Sequence, residues 1–367
     1  MDFHQKYARL IVDYCLYLKP NEKLLIRTGT AAEPLMQWVQ AFALERGAMI
    51  DLIYDTAYEE DNFLEYANAD QMNYSAERLN RQIESCDALL TVRALRNPEQ
   101  SHVKSTNKAG QAELRRASLS HFNKVYFERL GNGSLKRCLC QYPTEFSAGL
   151  AKMSLKEYEQ FIINACYLNH DQPEEQWKLL SKRQQIYVDH LNRTKRIEYR
   201  HPNFEISANV EGRIWINSDG KSNMPSGEVF TSPIEDSVEG TVFFDYPTRM
   251  FGKDLRGIKL EVKKGEIVSY SAEEGQEVLD KVFAIPGTRR FGEIAIGTNN
   301  NIRQATNNIL FDEKIGGTVH MAVGQSYKQC GGKNESDIHW DLITDMKNGG
   351  EIWTDGVLIY SNGNFLI

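Results

Sequence analysis

KLLIRTG (residues 23–29), AAEPLMQWVQAFALERG (31–47) and AMIDLIYD (48–55) follow one another almost without interruption. The first and third are short runs rich in Leu and Ile. The second repeats its apolar residues at helical spacing and stops at Gly47. Strand, helix and strand in this order predict two parallel strands joined by a crossover helix, the unit of an open α/β sheet. Outward from it, DALLTVRA (87–94) and KVYFERL (124–130) read as two more strands, with helices around 59–84 and 103–117. The opening MDFHQKYARLIVDYCLYLKP predicts an amphipathic helix ending near Pro20-Asn21, and 154–168 and 173–192 predict two further helices. Neither G-x-G-x-x-G nor G-x-x-x-x-G-K-[ST] follows the first strand. Residues 27–34, RTGTAAEP, instead place Glu33 where a phosphate would approach, which disfavours a nucleotide cofactor.

From about residue 195 the pattern changes. RIEYRH, FEISANVEG, RIWINSDG, TVFFDYP, IKLEVKKGEIVSYSAE and EIWTDGVLIYSNG alternate in polarity and are broken by Gly, Asn-Gly or Asp-Gly turns, with a helical period only at 275–284. The expected organisation is therefore an α/β N-terminal domain with an open, largely parallel sheet over 1–194, including a helical connector at about 151–194. A mostly β (α+β) domain follows over 195–367.

The acidity follows this division. The chain carries 43 Lys+Arg against 50 Asp+Glu, a net charge of −7. From His201 onward there are 24 acidic and 16 basic residues, against 26 and 27 before it. An acidic balance of this kind argues against a nucleic-acid groove. It leaves a solvated acidic surface or a hard-cation site. No apolar run approaches the roughly 18 residues of a membrane span. Six cysteines without a tight framework or an export signal predict reduced thiols and a cytoplasmic protein. A zinc site from Cys138, Cys140, Cys166 and His170 lacks the usual two-residue gap and is disfavoured.

Chemistry concentrates in the second half. In His339-Trp340-Asp341, residues i and i+2 of an extended strand project from one face, so imidazole and carboxylate can grip one cation. In Glu313-Lys314-Ile315-Gly316-Gly317-Thr318-Val319-His320, a Gly-Gly bend allows Glu313 and His320 to face one point. The plain alternative there is a turn with Glu313 solvated beside Lys314. Tyr327 lies seven residues further on. Glu228 in SGEVFTSP and Glu293 in FGEIAIGTN stand between glycines and apolar runs. There a carboxylate is partly buried and needs a partner, either a metal or an arginine such as Arg289 or Arg290. Glu228, Glu293, Glu313, His320, His339 and Asp341 form a mixed oxygen and nitrogen ligand set. Such a set suits two neighbouring divalent ions such as Zn, Co or Mn.

NVEGRIWINSDGKSNMPSGEVFTSP (209–233), VEGTVFF (238–244), RFGEIAIGTNNNI (290–302), NILFDEKIGGTVHMAVGQSY (308–327), GGKNESDIHWDLI (331–343) and DGVLIYSNG resemble the dinuclear metallo-aminopeptidase family of aminopeptidase T and aminopeptidase S, the thermophilic type. YCLYLKPNEKLLIRTGTAAEPL (14–35) resembles its opening, while 55–150 matches only loosely. The resemblance implies that Glu228, Glu293, Glu313, His320, His339 and Asp341 ligate two divalent metal ions per chain, with Glu293 bridging. It implies release of N-terminal amino acids from short peptides with a free N-terminus, through a metal-bridging hydroxide. Tyr327 is then the candidate donor to the oxyanion, and Glu313 or Glu335 the candidate general base. It further implies a homodimer; the charge balance and the lack of a long apolar run point to no nucleic-acid and no membrane partner. A two-metal hydrolase of another amide or ester predicts a basic clamp for phosphate, in which these motifs are poor. A non-catalytic α/β binding protein predicts substituted ligands, and none is seen.

Overall fold

A computed structural model of the chain describes residues 1–56, 58–98, 101, 103 and 108–367. It divides into two compact units, one of residues 1–174 with 220–225 and one of 175–219 with 226–367. The boundary expected at 194/195 is an expectation from sequence pattern. The compact units separate at 174/175, with residues 220–225 returning to the first.

The first unit begins with α1 (Phe3–Leu10), capped by Asp2 and continued by a π-helical turn over Ile11–Cys15. There follow β1 (Lys23–Gly29), α2 (Glu33–Glu45), β2 (Met49–Asp55), α3 (Glu59–Tyr66), α4 (Ala69–Ser85), β3 (Ala88–Arg93), α5 (Lys108–Ser118), α6 (Ser120–Gly131), β4 (Lys136–Gln141), α7 (Glu145–Leu150) and α8 (Leu155–Ala165). The sheet order is β2-β1-β3-β4, and every pair is parallel. A two-residue strand, Asn223–Met224, extends it in parallel beside β4. The open, parallel α/β sheet expected from residues 23–55 is thus present.

One expected strand is a helix. KVYFERL (124–130) lies in α6, and the fourth strand is KRCLCQ in β4. Val125, Tyr126 and Leu130 recur with Phe122 at helical spacing and pack on Leu25, Ile83 and Leu89. The helical period prevailed over the strand preference of Val, Tyr and Phe. The expected helix at 59–84 is split into α3 and α4, the second begun by an Asn68 capping box. Of the helix expected at 103–117, residues 104–107 lie outside the described residues, Val103 is not helical, and α5 covers 108–117.

The second unit opens with most of α9 (Pro173–Leu191), followed by β5 (Arg196–His201), β6 (Phe204–Asn209), β7 (Ile216–Ser218), then β8, the Asn223–Met224 strand already placed in the first unit. It continues with β9 (Glu228–Thr231), β10 (Glu239–Phe244), β11 (Thr248–Met250), β12 (Lys253–Lys263), β13 (Glu266–Glu274), α10 (Gln276–Val282), β14 (Phe291–Gly297), α11 (Ile309–Asp312), β15 (Thr318–Gly324), β16 (His339–Asp345), β17 (Glu351–Thr354), β18 (Val357–Ser361) and β19 (Asn364–Phe365). They form two antiparallel sheets. One runs β11-β12-β10-β6-β5-β17-β18-β19, with β13 also on β12, and the other runs β16-β15-β14-β9-β7. The mostly β second half is as expected.

In the smaller sheet β14 and β15 are buried along their whole length. Ile294, Ile296, Val319, Met321, Val323, Trp340 and Leu342 enter the main core with residues of the larger sheet such as Val242, Phe244 and Leu260. The alternate residues, Glu293, Ala295, His320, Ala322 and Asp341, therefore project from the opposite face. Ile294→Ala removes a core side chain one residue from Glu293. It is expected to cost about 2–5 kcal/mol of stability in denaturant unfolding. A cost below about 1 kcal/mol would place Ile294 outside the core.

Candidate metal centre

Strand register assembles the site. Glu293 on β14 pairs with Ala322 on β15, and Ala322 pairs with Asp341 on β16. One step along, Phe230 on β9 pairs with Ala295, and Ala295 with His320. Glu228 opposes Gly297, and His339 opposes Gly324. Directly opposed residues share a face, so Glu228, Glu293, His320, His339 and Asp341 all emerge on one side of four adjacent strands. A register shift between Phe291 and Glu293 accompanies Gly292, where a Cβ would lie 2.3 Å from the Gln325 carbonyl oxygen. Gln184 of α9 fixes the start of β9. Its amide donates to the Glu228 carbonyl at 3.3 Å, while its oxygen accepts from Thr298 Oγ1 at 2.6 Å.

The side chains converge on Glu293. Its Oε1 lies 3.8 Å from His320 Nε2, and its Oε2 lies 2.9 Å from His339 Nε2. His320 Nε2 is also 3.2 Å from Glu228 Oε2, and His339 Nε2 is 3.5 Å from Asp341 Oδ1. Two groups of ligand atoms, each compact enough to hold one ion, result among the described residues. They are Glu228, Glu293 and His320, and Glu293, His339 and Asp341. Glu293 belongs to both. Asp341 Oδ1 and His320 Nδ1 are buried without a hydrogen-bond partner. Carboxylate oxygens and imidazole nitrogens crowded together, one buried oxygen unsatisfied, fit hard or borderline divalent cations. His339 Nδ1 lies 2.7 Å from the Gln325 carbonyl, to which it donates, leaving Nε2 directed toward Glu293 and Asp341.

Glu313 and Lys314 are not the solvated turn that the alternative reading allowed. Lys314 is fully buried, ion-paired to Glu313, with its Nζ 3.5 Å from Glu228 Oε1. Gly317, at φ +88°, makes the bend into β15 that brings this pair back to the sheet face. Glu313 belongs to neither ligand group. Burial, then the Glu228 and Asp341 charges, pushes its carboxyl up to about 8 against the opposing pull of Lys314. For Lys314 burial acts downward, but the Glu228 and Glu313 carboxylates outweigh it and hold the ammonium above the ordinary lysine value. Burial works against ionised Asp341 as well, yet the imidazole of His339 draws its carboxyl well below the usual range. Both histidines are raised despite burial, His320 by Glu228 and Glu293, and His339 by Asp341 and Glu293.

Tyr327 stands at the rim, 36% exposed, its ring against Phe230 and its hydroxyl 3.4 Å from His339 Nε2. Desolvation and the nearby carboxylates, Glu293 first, hold its phenol well above the ordinary value, so it is a neutral donor. Three sequence alternatives fail. Glu335 is exposed and pairs with Lys328 at 3.4 Å. Arg290 donates to the Glu235 carbonyl and Arg289 to that of Phe283, so neither serves Glu293. Cys138, Cys140 and Cys166 are buried thiols, and neither they nor His170 belong to a ligand group among the described residues. Sequence reasoning missed Lys314, Ala295 and Ala322. The two alanines were visible as small residues at period two between chemically active ones, whereas nothing local marks Lys314 as buried.

The family model of the thermophilic metalloproteases (M29) matches residues 2–365. The chain belongs to this family. Aminopeptidase 2 of Geobacillus stearothermophilus is 26% identical, over 98% of this chain and 97% of that one. Aminopeptidase T of Thermus aquaticus is 28% identical over 54% of each. The solved structure of wild-type AmpT from Thermus thermophilus superposes with a TM-score of 0.83, covering 99% of both chains at 22% identity, and shows the same fold. The expected metal-dependent hydrolase, and the resemblance on which it rested, are borne out. A member of this metalloprotease family acts on peptides with a divalent metal.

Ala322 lies between Glu293 and Asp341 in register and is fully buried. Ala322→Leu would set a branched side chain among the ligands. The expected result is loss of bound divalent metal by elemental analysis, with an overpacking cost of about 1–3 kcal/mol. Full metal content would mean that position 322 does not border the site.

Proposed function

We propose that the Glu293-centred cluster is the catalytic centre of a metal-dependent aminopeptidase that releases N-terminal amino acids from short peptides. The observation that carries this reading is the division of Glu293. Each of its oxygens faces a different histidine, and each histidine has its own second carboxylate. Glu228, Glu293 and His320 would hold one divalent ion, and Glu293, His339 and Asp341 the other; Zn, Co and Mn all suit these donors. When bound, such a pair of ions supplies Lewis acidity toward a peptide carbonyl and lowers the pKa of water toward neutrality.

The chain's own groups do the rest. Gln325 holds His339 in the tautomer that offers Nε2. Tyr327 donates from the rim to the carbonyl oxygen as negative charge develops on it. Glu313, outside both ligand groups yet packed against Lys314, is the carboxylate available to take a proton from the attacking water and pass it to the leaving amine. A substrate's free α-amine is complementary to this acidic face, whereas an acetylated N-terminus is not. A phosphate ester has less support, because the buried cation here, Lys314, is already engaged by Glu228 and Glu313. The same reading includes a cytoplasmic homodimer. The six buried thiols, none in a disulfide, support a reducing compartment. The dimer is supported by family likeness, and sedimentation at twice 42.0 kDa would bear it out.

Chelation should abolish hydrolysis of aminoacyl-p-nitroanilides, and Zn, Co or Mn should restore it, with N-acetylated substrates inert. Equal cleavage of free and blocked N-termini would sink the aminopeptidase reading. Glu293→Gln should leave the fold intact by circular dichroism and reduce turnover to background; retained turnover removes Glu293 from the centre. Tyr327→Phe should lower kcat by about 10²–10³-fold with little change in KM. A change confined to KM would make Tyr327 a substrate-binding group instead.

A further inference from the structure

Lys314 is a cation that the two-metal reading does not require. Its backbone is pinned, since the Asn299 N–H donates to its carbonyl at 3.0 Å, and residues 299 and 315 form a parallel bridge. Its side chain has no exposed surface, and its ammonium lies against Glu228 and Glu313. It cannot reach solvent without unpacking the turn. The cluster holds four carboxylates, Glu228, Glu293, Glu313 and Asp341, and Lys314 is the fixed positive charge among them.

The placement is one-sided. Glu228 belongs to the group formed with Glu293 and His320, and the ammonium is an ion-pair partner of Glu228. The group of Glu293, His339 and Asp341 makes no ion pair with Lys314, and of its members Asp341 acts on the ammonium less than Glu228 and Glu313 do. A fixed charge repels a nearby dication and at the same time occupies carboxylate oxygens that would otherwise attract it. Glu313, the carboxylate expected from family likeness to be a ligand, is held on the lysine.

We propose that Lys314 is a resident counter-cation of the metal centre. It holds the carboxylates together before metal arrives, and it makes the ion at Glu228, Glu293 and His320 the more weakly bound of the two. The inference rests on the reading of the cluster as a two-metal site. It separates two quantities that a purely structural ion pair would move together. Removing the lysine leaves the metal-free protein with uncompensated buried carboxylates and lowers its stability. The same change removes the repulsion, frees Glu313, and tightens the weaker site.

The test uses the full chain, stripped by chelator, as wild type, Lys314→Met and Lys314→Arg. Zn²⁺ and Mn²⁺ are titrated against a competing chromogenic chelator, and thermal unfolding is followed with and without metal. Wild type should take up two ions with affinities separated by about tenfold or more. Lys314→Met should tighten the weaker site by about tenfold or more while lowering the metal-free Tm, so that the metal-induced rise in Tm grows. Lys314→Arg, which keeps the charge, should retain the wild-type order of affinities. Should Lys314→Met not fold, Lys314→Gln carries the same comparison. Two bound ions whose affinities are indifferent to removal of the charge, or are both weakened along with metal-free stability, would overturn this inference alone. Wild type that binds no metal would overturn the metal-centre reading and this inference with it.

Discussion

Gathering carboxylates away from water on one face of a sheet is the constraint on which the C-terminal half of this protein depends. Glu228, Glu293 and Asp341 are 5%, 3% and 6% exposed, and the Glu313 side chain is 15% exposed. Ionised carboxylates so placed lose most of their hydration and must be compensated by cations or by donors. Lys314, His320 and His339 supply part of that compensation from the chain itself, and the metal of a metalloprotease supplies the remainder. The site is thus held together by charges that no single member could carry in the interior alone.

The antiparallel sheet makes such a concentration mechanically feasible. Strands β14 and β15 are buried on both faces, so every second residue serves the apolar core and the alternate ones serve chemistry. Ile294, Ile296, Val319 and Met321 stabilise the sheet, while Glu293 and His320 are positioned by it. The alanines at 295 and 322 leave the volume in which the ligands meet. Rigid strands, with Gln184 bonded to the backbone of Glu228 and Thr298 close by, define donor positions more narrowly than loops would.

Much of this was legible before any coordinates. The crossover unit at residues 23–55 announced the parallel sheet, and the alternating runs from RIEYRH to EIWTDGVLIYSNG announced a mostly β second half. The misreading of KVYFERL shows where local pattern fails. Its Val, Tyr and Phe favour a strand, but the spacing with Phe122 and Leu130 buries one helical face against Leu25 and Leu89. The basic flanks of KRCLCQ concealed a genuine strand, because a parallel strand is defined by neighbours distant in sequence. Lys314 was passed over for a related reason, since a charge beside its opposite in a turn looks solvated from its sequence neighbours alone.

The sequence by itself determined most of the element types, the alternating strands of the second half and the candidate ligand set. These depend on side-chain spacing of two or 3.6 residues and on which atoms can donate to a cation, all local properties. Tertiary structure alone decided the register that places Glu293 opposite Ala322 and Asp341. It also decided the sharing of Glu293 between two histidines, and the burial of Lys314 beside Glu228, 86 positions earlier in the chain. Those outcomes are set by long-range strand pairing and by the desolvation of charges, and neither can be read from a residue's immediate neighbours.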